Sequence, residues 1–134
     1  MTPPRTVMLV DDSEPDNVFH DIVLRAAGFN GQLAVFDDPL PALQALTSAS
    51  IKPDLVLLDI NMPGVDGFGF ASRLCAALPQ ADWPKVVMLS SSDLQVDRAR
   101  ALSIPIVAGY LTKPLAGASA LALLAGQLPP NANR

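Results

Sequence analysis

The chain has 134 residues, enough for a single domain that buries roughly two thirds of the surface its unfolded chain exposes. Half of the residues are hydrophobic, but no apolar run approaches the ~18 residues of a membrane span, so we expect no membrane insertion. The net charge of -4 and the lack of a Lys/Arg cluster argue against a broad phosphate-backbone interface, and direct nucleic-acid binding is not expected.

The N-terminus and the cysteine content indicate a cytoplasmic protein. The first residues are too few for a secretory signal, because Asp11 and Asp12 interrupt the apolar stretch at once. The single Cys75 excludes an internal disulfide. We therefore expect a soluble cytoplasmic protein with one domain over residues 1–134, a core over about 5–128 and a flexible tail at 129–134.

Strands and helices alternate along the chain. Apolar runs predict strands at 6–10, 32–36, 55–58, 85–89 and 106–111. Hydrophobic residues at helical spacing predict helices at about 14–27, 39–49, 68–78, 94–102 and 115–128. The run at 55–58 lies between Pro53 and Pro63-Gly64, which is typical of a short strand buried on both faces.

The first helix has clear local signals. Ser13 is expected to cap its N-terminus, and Gly28 to end it. Val18 and Ile22 lie at the spacing of a face that meets the core. His20 has no second metal ligand at a suitable spacing and is expected at the surface or at the edge of the core.

The last two helices have weaker signals. Ser92 or Asp93 can cap the fourth helix, since a short polar side chain there can accept a hydrogen bond from a free backbone N–H. In the fifth helix, Leu121 is one of several leucines that we expect to face inward.

This alternation predicts repeated βαβ units with right-handed crossovers. The predicted fold class is α/β: a doubly wound, five-stranded parallel sheet in the order 2-1-3-4-5, of the flavodoxin-like (βα)5 type. In such sheets, ligands bind beyond the carboxyl ends of the strands. Asp59, directly after the third strand, is therefore the candidate reactive group.

Aspartates follow two strands that the predicted order makes neighbours. Asp11 and Asp12 follow the first strand and Asp59 the third, so their carboxylates should converge. Each pair at ~4 Å would repel by ~4 kcal/mol at an effective dielectric near 20. A Mg²⁺ ion compensates this best, because it takes oxygen ligands. The second alternative is that one of the acids is protonated, which would also relieve the repulsion.

The complete set of motifs resembles the receiver domain of two-component response regulators. The matching parts, in chain order, are Asp11-Asp12, the stretch LLDINMPGVDG at 57–67, Ser90, and YLTKP at 110–114. The resemblance covers essentially the whole chain. It implies a phosphorylation-dependent signalling switch, with no enzymatic activity beyond its own phosphorylation and slow autodephosphorylation.

The resemblance also implies a role for each residue of the site. Asp59 would accept a phosphoryl group from a phosphohistidine. Asp12 would bind Mg²⁺ directly, together with Asp59 and the backbone carbonyl of Asn61, and Asp11 would bind it through water. Lys113 would pair with a phosphoryl oxygen.

Two further residues would form the switch. By the resemblance, Ser90 would donate its hydroxyl to the phosphoryl group, and Tyr110 would then turn from outside to inside. The change would reach the surface of the fourth helix, fifth strand and fifth helix. The Lys113-Pro114 peptide bond would be cis. Plainer interpretations are that Ser90 only caps the fourth helix and that Tyr110 is an amphipathic residue at the end of a strand.

The chain departs from the commonest family pattern at two places. Ser91 stands where a small apolar residue is usual, and it could alter access to the phosphoryl group. The segment 103–109 is unlike the turn usually found before the last strand.

The implied partners are a sensor histidine kinase or a histidine phosphotransfer protein. Because no output domain follows in this sequence, we expect a stand-alone module that acts by protein contact or phosphoryl relay. The fourth helix, fifth strand and fifth helix are a candidate surface for a homodimer.

Two other functions use similar residues. A metal-dependent phosphatase that forms an aspartyl-phosphate would have a second aspartate two residues after the nucleophile, but Asn61 stands there. A binding module that is never phosphorylated would not need Asp12, Asp59 and Lys113 together.

Overall fold

The computed structural model of the protein describes residues 3–129 and 132, and within them five strands alternate with five α-helices. The strands are Thr6–Val10 (β1), Gln32–Phe36 (β2), Leu55–Leu58 (β3), Lys85–Ser90 (β4) and Val107–Thr112 (β5). The helices are Glu14–Ala26 (α1), Pro39–Thr47 (α2), Gly67–Ala77 (α3), Gln95–Leu102 (α4) and Gly117–Leu124 (α5). A 3-10 turn, Gln80–Asp82, precedes β4.

The strands form one parallel sheet in the order β2-β1-β3-β4-β5, which confirms the predicted fold class. In the register, Val10 lies opposite Phe36 of β2 and Leu58 of β3, so β1, β2 and β3 end at the same level. The carboxyl ends of all five strands therefore meet at one edge of the sheet.

Both faces of the sheet are buried under helices. One core cluster joins alternate strand residues such as Met8, Val56 and Met88 to α2, α3 and α4. The other joins the intervening residues, such as Leu9 and Leu57, to α1 and α5. This two-sided burial explains why the inner strands are continuous apolar runs.

The α1 helix faces the core with different residues from those predicted. Ser13 caps it as expected, its side chain accepting a hydrogen bond from the backbone N–H of Asp16. Its buried residues are Asn17, His20 and Leu24. Val18 and Ile22 are 54% and 60% exposed, so the prediction from hydrophobic spacing was wrong. The buried residues Asn17 and His20 are polar because the N-terminal end of α1 lies near the carboxyl ends of the strands, where Asp11 follows β1.

The last two helices also differ from the prediction. Neither Ser92 nor Asp93 is the N-cap of α4; the N-cap is Leu94, which makes no side-chain cap. In α5, Leu121 is 57% exposed and so does not face inward. This helix also ends early, and Gly126 follows it with a φ of 79°, a conformation that favours glycine.

The predicted tail at 129–134 lies mostly outside the described residues. Pro129 and Ala132 are described, and both are buried. Ala132 belongs to the core cluster under α1 and α5.

Candidate functional site

Acidic side chains that directly follow β1 and β3 lie close together at the edge of the sheet formed by the carboxyl ends of the strands. Each strand is extended by one residue: the N–H of Asp11 donates to the carbonyl of Phe36, and that of Asp59 to the carbonyl of Val10. These bonds hold both aspartates in register. Their carboxylates and that of Asp12 have oxygens that all lie within 4.8 Å of one another. Asp11 and Asp59 are buried, while Asp12 is exposed.

Lys113 lies across from these carboxylates, after β5. Its Nζ is 2.6 Å from Oδ2 of Asp11, 2.8 Å from Oδ2 of Asp16 and 3.3 Å from Oδ1 of Asp59. The position of Lys113 is set by its backbone N–H, which donates to the carbonyl of Ser90 at 2.7 Å. The peptide bond from Lys113 to Pro114 is cis.

The charges in this cluster change one another's pKa. Burial, and then the charge of Asp11, raise the pKa of Asp59 to about 6, although Lys113 opposes them. Burial alone would lower the pKa of Lys113, but the carboxylates of Asp11 and Asp16 outweigh it and raise that pKa. The hydrogen bond from Lys113 lowers the pKa of Asp16. The ammonium group of Lys113 thus forms ion pairs with the carboxylates of Asp11, Asp16 and Asp59.

Two residues of α1 join the site without having been predicted there. Asp16 pairs with Lys113, although an acid in the first turn of a helix would by itself indicate only a favourable interaction with the helix dipole. His20 is buried, and burial together with the charge of Lys113 lowers its pKa. One feature of the sequence could have indicated that both residues lie near the site: α1 begins only a few residues after Asp11 and Asp12.

The loop after Asp59 passes very close to it. The N–H of Gly67 donates to the carbonyl of Ile60 at 2.7 Å. A Cβ at Gly67 would collide with the carbonyl oxygen of Asp59, so this position requires glycine. Asn61 lies in the same loop and is exposed. Its predicted role as a backbone ligand stays a prediction.

Ser90 and Tyr110 are linked through one loop residue. The buried Ser90 hydroxyl accepts a hydrogen bond from the N–H of Ser92 at 3.1 Å. Tyr110 is fully buried, and its hydroxyl donates to the carbonyl of Ser92 at 2.6 Å. The guanidinium carbon of Arg98 lies 4.9 Å from the centroid of the Tyr110 ring. Tyr110 therefore occupies the inward position in this structure.

The same loop is fastened to α4. The Ser92 hydroxyl donates to Oδ2 of Asp97 at 2.6 Å and accepts from the N–H of Leu94 at 3.3 Å. Any movement of Ser90 is thus connected to α4 and β5 through Ser92.

The donor set suits a hard divalent cation. Three carboxylates with converging oxygens are the kind of ligand that Mg²⁺ prefers. A cation there would also offset the repulsion between Asp11 and Asp59 that raises the pKa of Asp59.

The arrangement agrees with a comparison of the whole sequence. A family model for the response regulator receiver domain matches residues 7–125. The chain belongs to this family. Receiver domains are phosphorylation-dependent signalling switches that bind Mg²⁺ at a cluster of aspartates, and this receiver domain has such a cluster.

Several relatives are similar over different lengths. Response regulator Rcp1 of Synechocystis is 29% identical over 116 residues, which cover 83% of this chain and 78% of Rcp1. A positive alginate biosynthesis regulatory protein of Pseudomonas aeruginosa is 42% identical over 66 residues, 49% of this chain. The match spans only 24% of that longer protein.

A solved structure supports the same assignment. The crystal structure of the Mn²⁺-bound form of Rcp1 is 27% identical to this chain and has a TM-score of 0.72. The match covers 91% of this chain and 90% of that one. Within the residues described here, no helix has the length and apolar character needed to span a membrane.

Proposed function

We propose that Asp59 of this receiver domain accepts a phosphoryl group from a phosphohistidine of a sensor histidine kinase or a histidine phosphotransfer protein. The observation that supports this most is the ion pair between Lys113 and Asp59, with Asp11 and Asp12 at the same edge. Asp59 therefore has the ammonium of Lys113 beside it, at the edge of the sheet where ligands bind in folds of this kind.

The reaction exchanges one bond for another. A carboxylate oxygen of Asp59 attacks phosphorus, the bond from phosphorus to the histidine nitrogen breaks, and that nitrogen keeps the electron pair. Lys113 stabilises the negative charge on the phosphoryl oxygens. Slow hydrolysis of the aspartyl-phosphate, which returns the free carboxylate, is the only other turnover that we propose.

Asp12 and Asp59 would hold Mg²⁺ directly, with the backbone carbonyl of Asn61, and Asp11 would bind it through water. When bound, the ion neutralises charge on the transferring phosphoryl group. The crystal structure of a Mn²⁺-bound form of Rcp1, a relative with the same fold, is consistent with the binding of a divalent cation by such a domain.

The phosphoryl group would act on the rest of the domain through Ser90 and Tyr110. It carries a charge of about -1.5 to -2 and three acceptor oxygens. The Ser90 hydroxyl would donate to one of these oxygens. Because Ser92 contacts Ser90, Tyr110 and Asp97, a movement of Ser90 would shift the loop that holds the inward Tyr110 and so change the surface of α4, β5 and α5. This surface is the proposed contact for a downstream protein or a second copy.

Beryllofluoride with Mg²⁺ tests the assignment of Asp59, because it mimics the phosphoryl group on a carboxylate. We expect ¹⁹F NMR to show bound beryllofluoride in the parent and amide shifts at Ser90 and Tyr110. Acetyl phosphate should add one phosphoryl group to the parent by mass spectrometry.

Asp59→Asn should abolish both results. Asp37→Asn is the matched control, since Asp37 is an exposed carboxylate just after β2 and lies outside the cluster. If Asp59→Asn responds as the parent does, Asp59 is not the phosphoacceptor.

A further inference from the structure

Asp16 makes a contact with Lys113 that the receiver motifs do not include. Its Oδ2 lies 2.8 Å from Nζ of Lys113, closer than the nearest oxygen of Asp59 at 3.3 Å. The two residues are 97 positions apart in the chain, and each comes from a different element. Asp16 therefore holds a group on which the reaction at Asp59 depends.

The position of Asp16 is held firmly at the start of α1. Its backbone N–H donates to the hydroxyl of Ser13, and the N–H of Ser13 donates to Oδ1 of Asp11 at 2.9 Å. The side-chain amide of Asn17 donates to the carbonyl of Asp11 at 2.8 Å. The first turn of α1 is thus tied to the strand that carries the site. These bonds fix the backbone of Asp16 at a position from which its carboxylate reaches Lys113.

The ammonium group of Lys113 has only three N–H donors. In this structure they face Asp11, Asp16 and Asp59. A phosphoryl group on Asp59 brings three new acceptor oxygens and extra negative charge. Lys113 must then share its donors differently, and each carboxylate that it keeps weakens its contact with the new group.

We propose that Asp16 is a positioning residue that competes with the phosphoryl group for Lys113. This inference rests on the proposed function and adds one element to it. While Asp59 is free, Asp16 draws the ammonium toward α1. When the phosphoryl group arrives, Asp16 keeps a share of that ammonium and so limits how tightly the group is held. Asp16 thereby sets the affinity of the site for a phosphoryl group.

The size of the effect follows from exposure. The side chain of Asp16 is 42% exposed, so solvent screens part of its attraction for Lys113. We expect Asp16→Asn, which removes the charge and keeps the shape, to tighten beryllofluoride binding by about twofold to fivefold. Binding is titrated by ¹⁹F NMR at saturating Mg²⁺ on the full chain.

Three variants isolate the contact. Glu14→Gln is the matched control, because Glu14 is an exposed acid in the same turn that has no ion pair with Lys113 among the described residues, and it should leave the affinity unchanged. Asp16→Glu keeps a carboxylate and should bring the affinity back toward the parent. In a Lys113→Ala background, Asp16→Asn should have no effect, since the competition needs the ammonium.

The outcomes separate this inference from the proposed function. If the parent binds no beryllofluoride, the assignment of Asp59 fails. If the parent binds it but Asp16→Asn binds equally or more weakly, Asp16 does not compete for Lys113. An equal gain in Glu14→Gln or in the Lys113→Ala background would show a general charge effect and would also overturn the inference.

Discussion

At the scale of single residues, the surroundings of Asp59 disfavour its ionised form. Its carboxyl is buried and lies beside that of Asp11, and both conditions disfavour the ionised form. The nearby ammonium of Lys113 reduces that cost but does not remove it. A Mg²⁺ ion beside Asp59 would stabilise its ionised form further. The proposed phosphorylation of Asp59 is therefore expected to depend on Mg²⁺.

The raised pKa of Asp59 predicts how stability depends on pH. In the folded protein this pKa is about 6, against an ordinary value of 3.8, so between these values the folded state binds more protons than the unfolded state. The free energy of unfolding therefore falls as pH rises through this window. Above about pH 6 the ionised Asp59 destabilises the fold.

Asp59→Asn should remove this pH dependence. In EDTA, we expect the variant to match the parent near pH 4 and to exceed its free energy of unfolding by about 1–3 kcal/mol at pH 7. Urea unfolding at several pH values measures the difference. A difference that stays constant with pH would show that Asp59 titrates normally.

At the scale of an element, α1 joins the core to the site. Its C-terminal half buries Leu24 against the sheet, while its N-terminal half buries Asn17 and His20 near the charged cluster. The helix leaves Val18 and Ile22 exposed. Contacts with the site therefore orient the N-terminal half of α1, and contacts with the hydrophobic core orient its C-terminal half.

Two substitutions in α1 test this orientation. Leu24→Ala removes a fully buried side chain and should lower the free energy of unfolding by about 2–5 kcal/mol. Ile22→Ala truncates a side chain that is 60% exposed and should change it by less than about 0.5 kcal/mol. Chemical denaturation compares the two. Equal losses would mean that Ile22 faces the core after all.

At the scale of the whole molecule, the fold brings distant segments together at one edge of the sheet. Asp11, Asp59, Ser90 and Lys113 come from four strand ends. Parallel strands make this convergence automatic, because every carboxyl end lies on the same side. Ligand binding at that edge should therefore stabilise the domain as a unit.

Mg²⁺ should raise the free energy of unfolding by about 2.7 kcal/mol at a concentration about 100 times its Kd. Asp12→Ala should weaken Mg²⁺ binding by more than about tenfold, which removes about 1.3 kcal/mol or more of that stabilisation at the same concentration. Thermal unfolding and calorimetric titration measure both effects, with Asp37→Ala as the control. An unchanged titration would remove Asp12 from the site.

Much of this architecture follows from local sequence. The strands, the order of elements and the aspartates at strand ends were predicted correctly, because apolar runs, turn residues and caps act over a few positions. The helix faces were less predictable. The spacing of Val18 and Ile22 suggested a core face, but a helix beside a polar site buries polar residues instead.

By itself, the sequence determined the α/β class, the alternation of elements and the identity of the receiver motifs. Only the tertiary structure decided that Asp16 pairs with Lys113, that His20 is buried and that Tyr110 lies inward. The physical reason is distance along the chain. Asp16 and Lys113 are 97 residues apart, and no local pattern specifies which of several carboxylates an ammonium will meet once the sheet has formed.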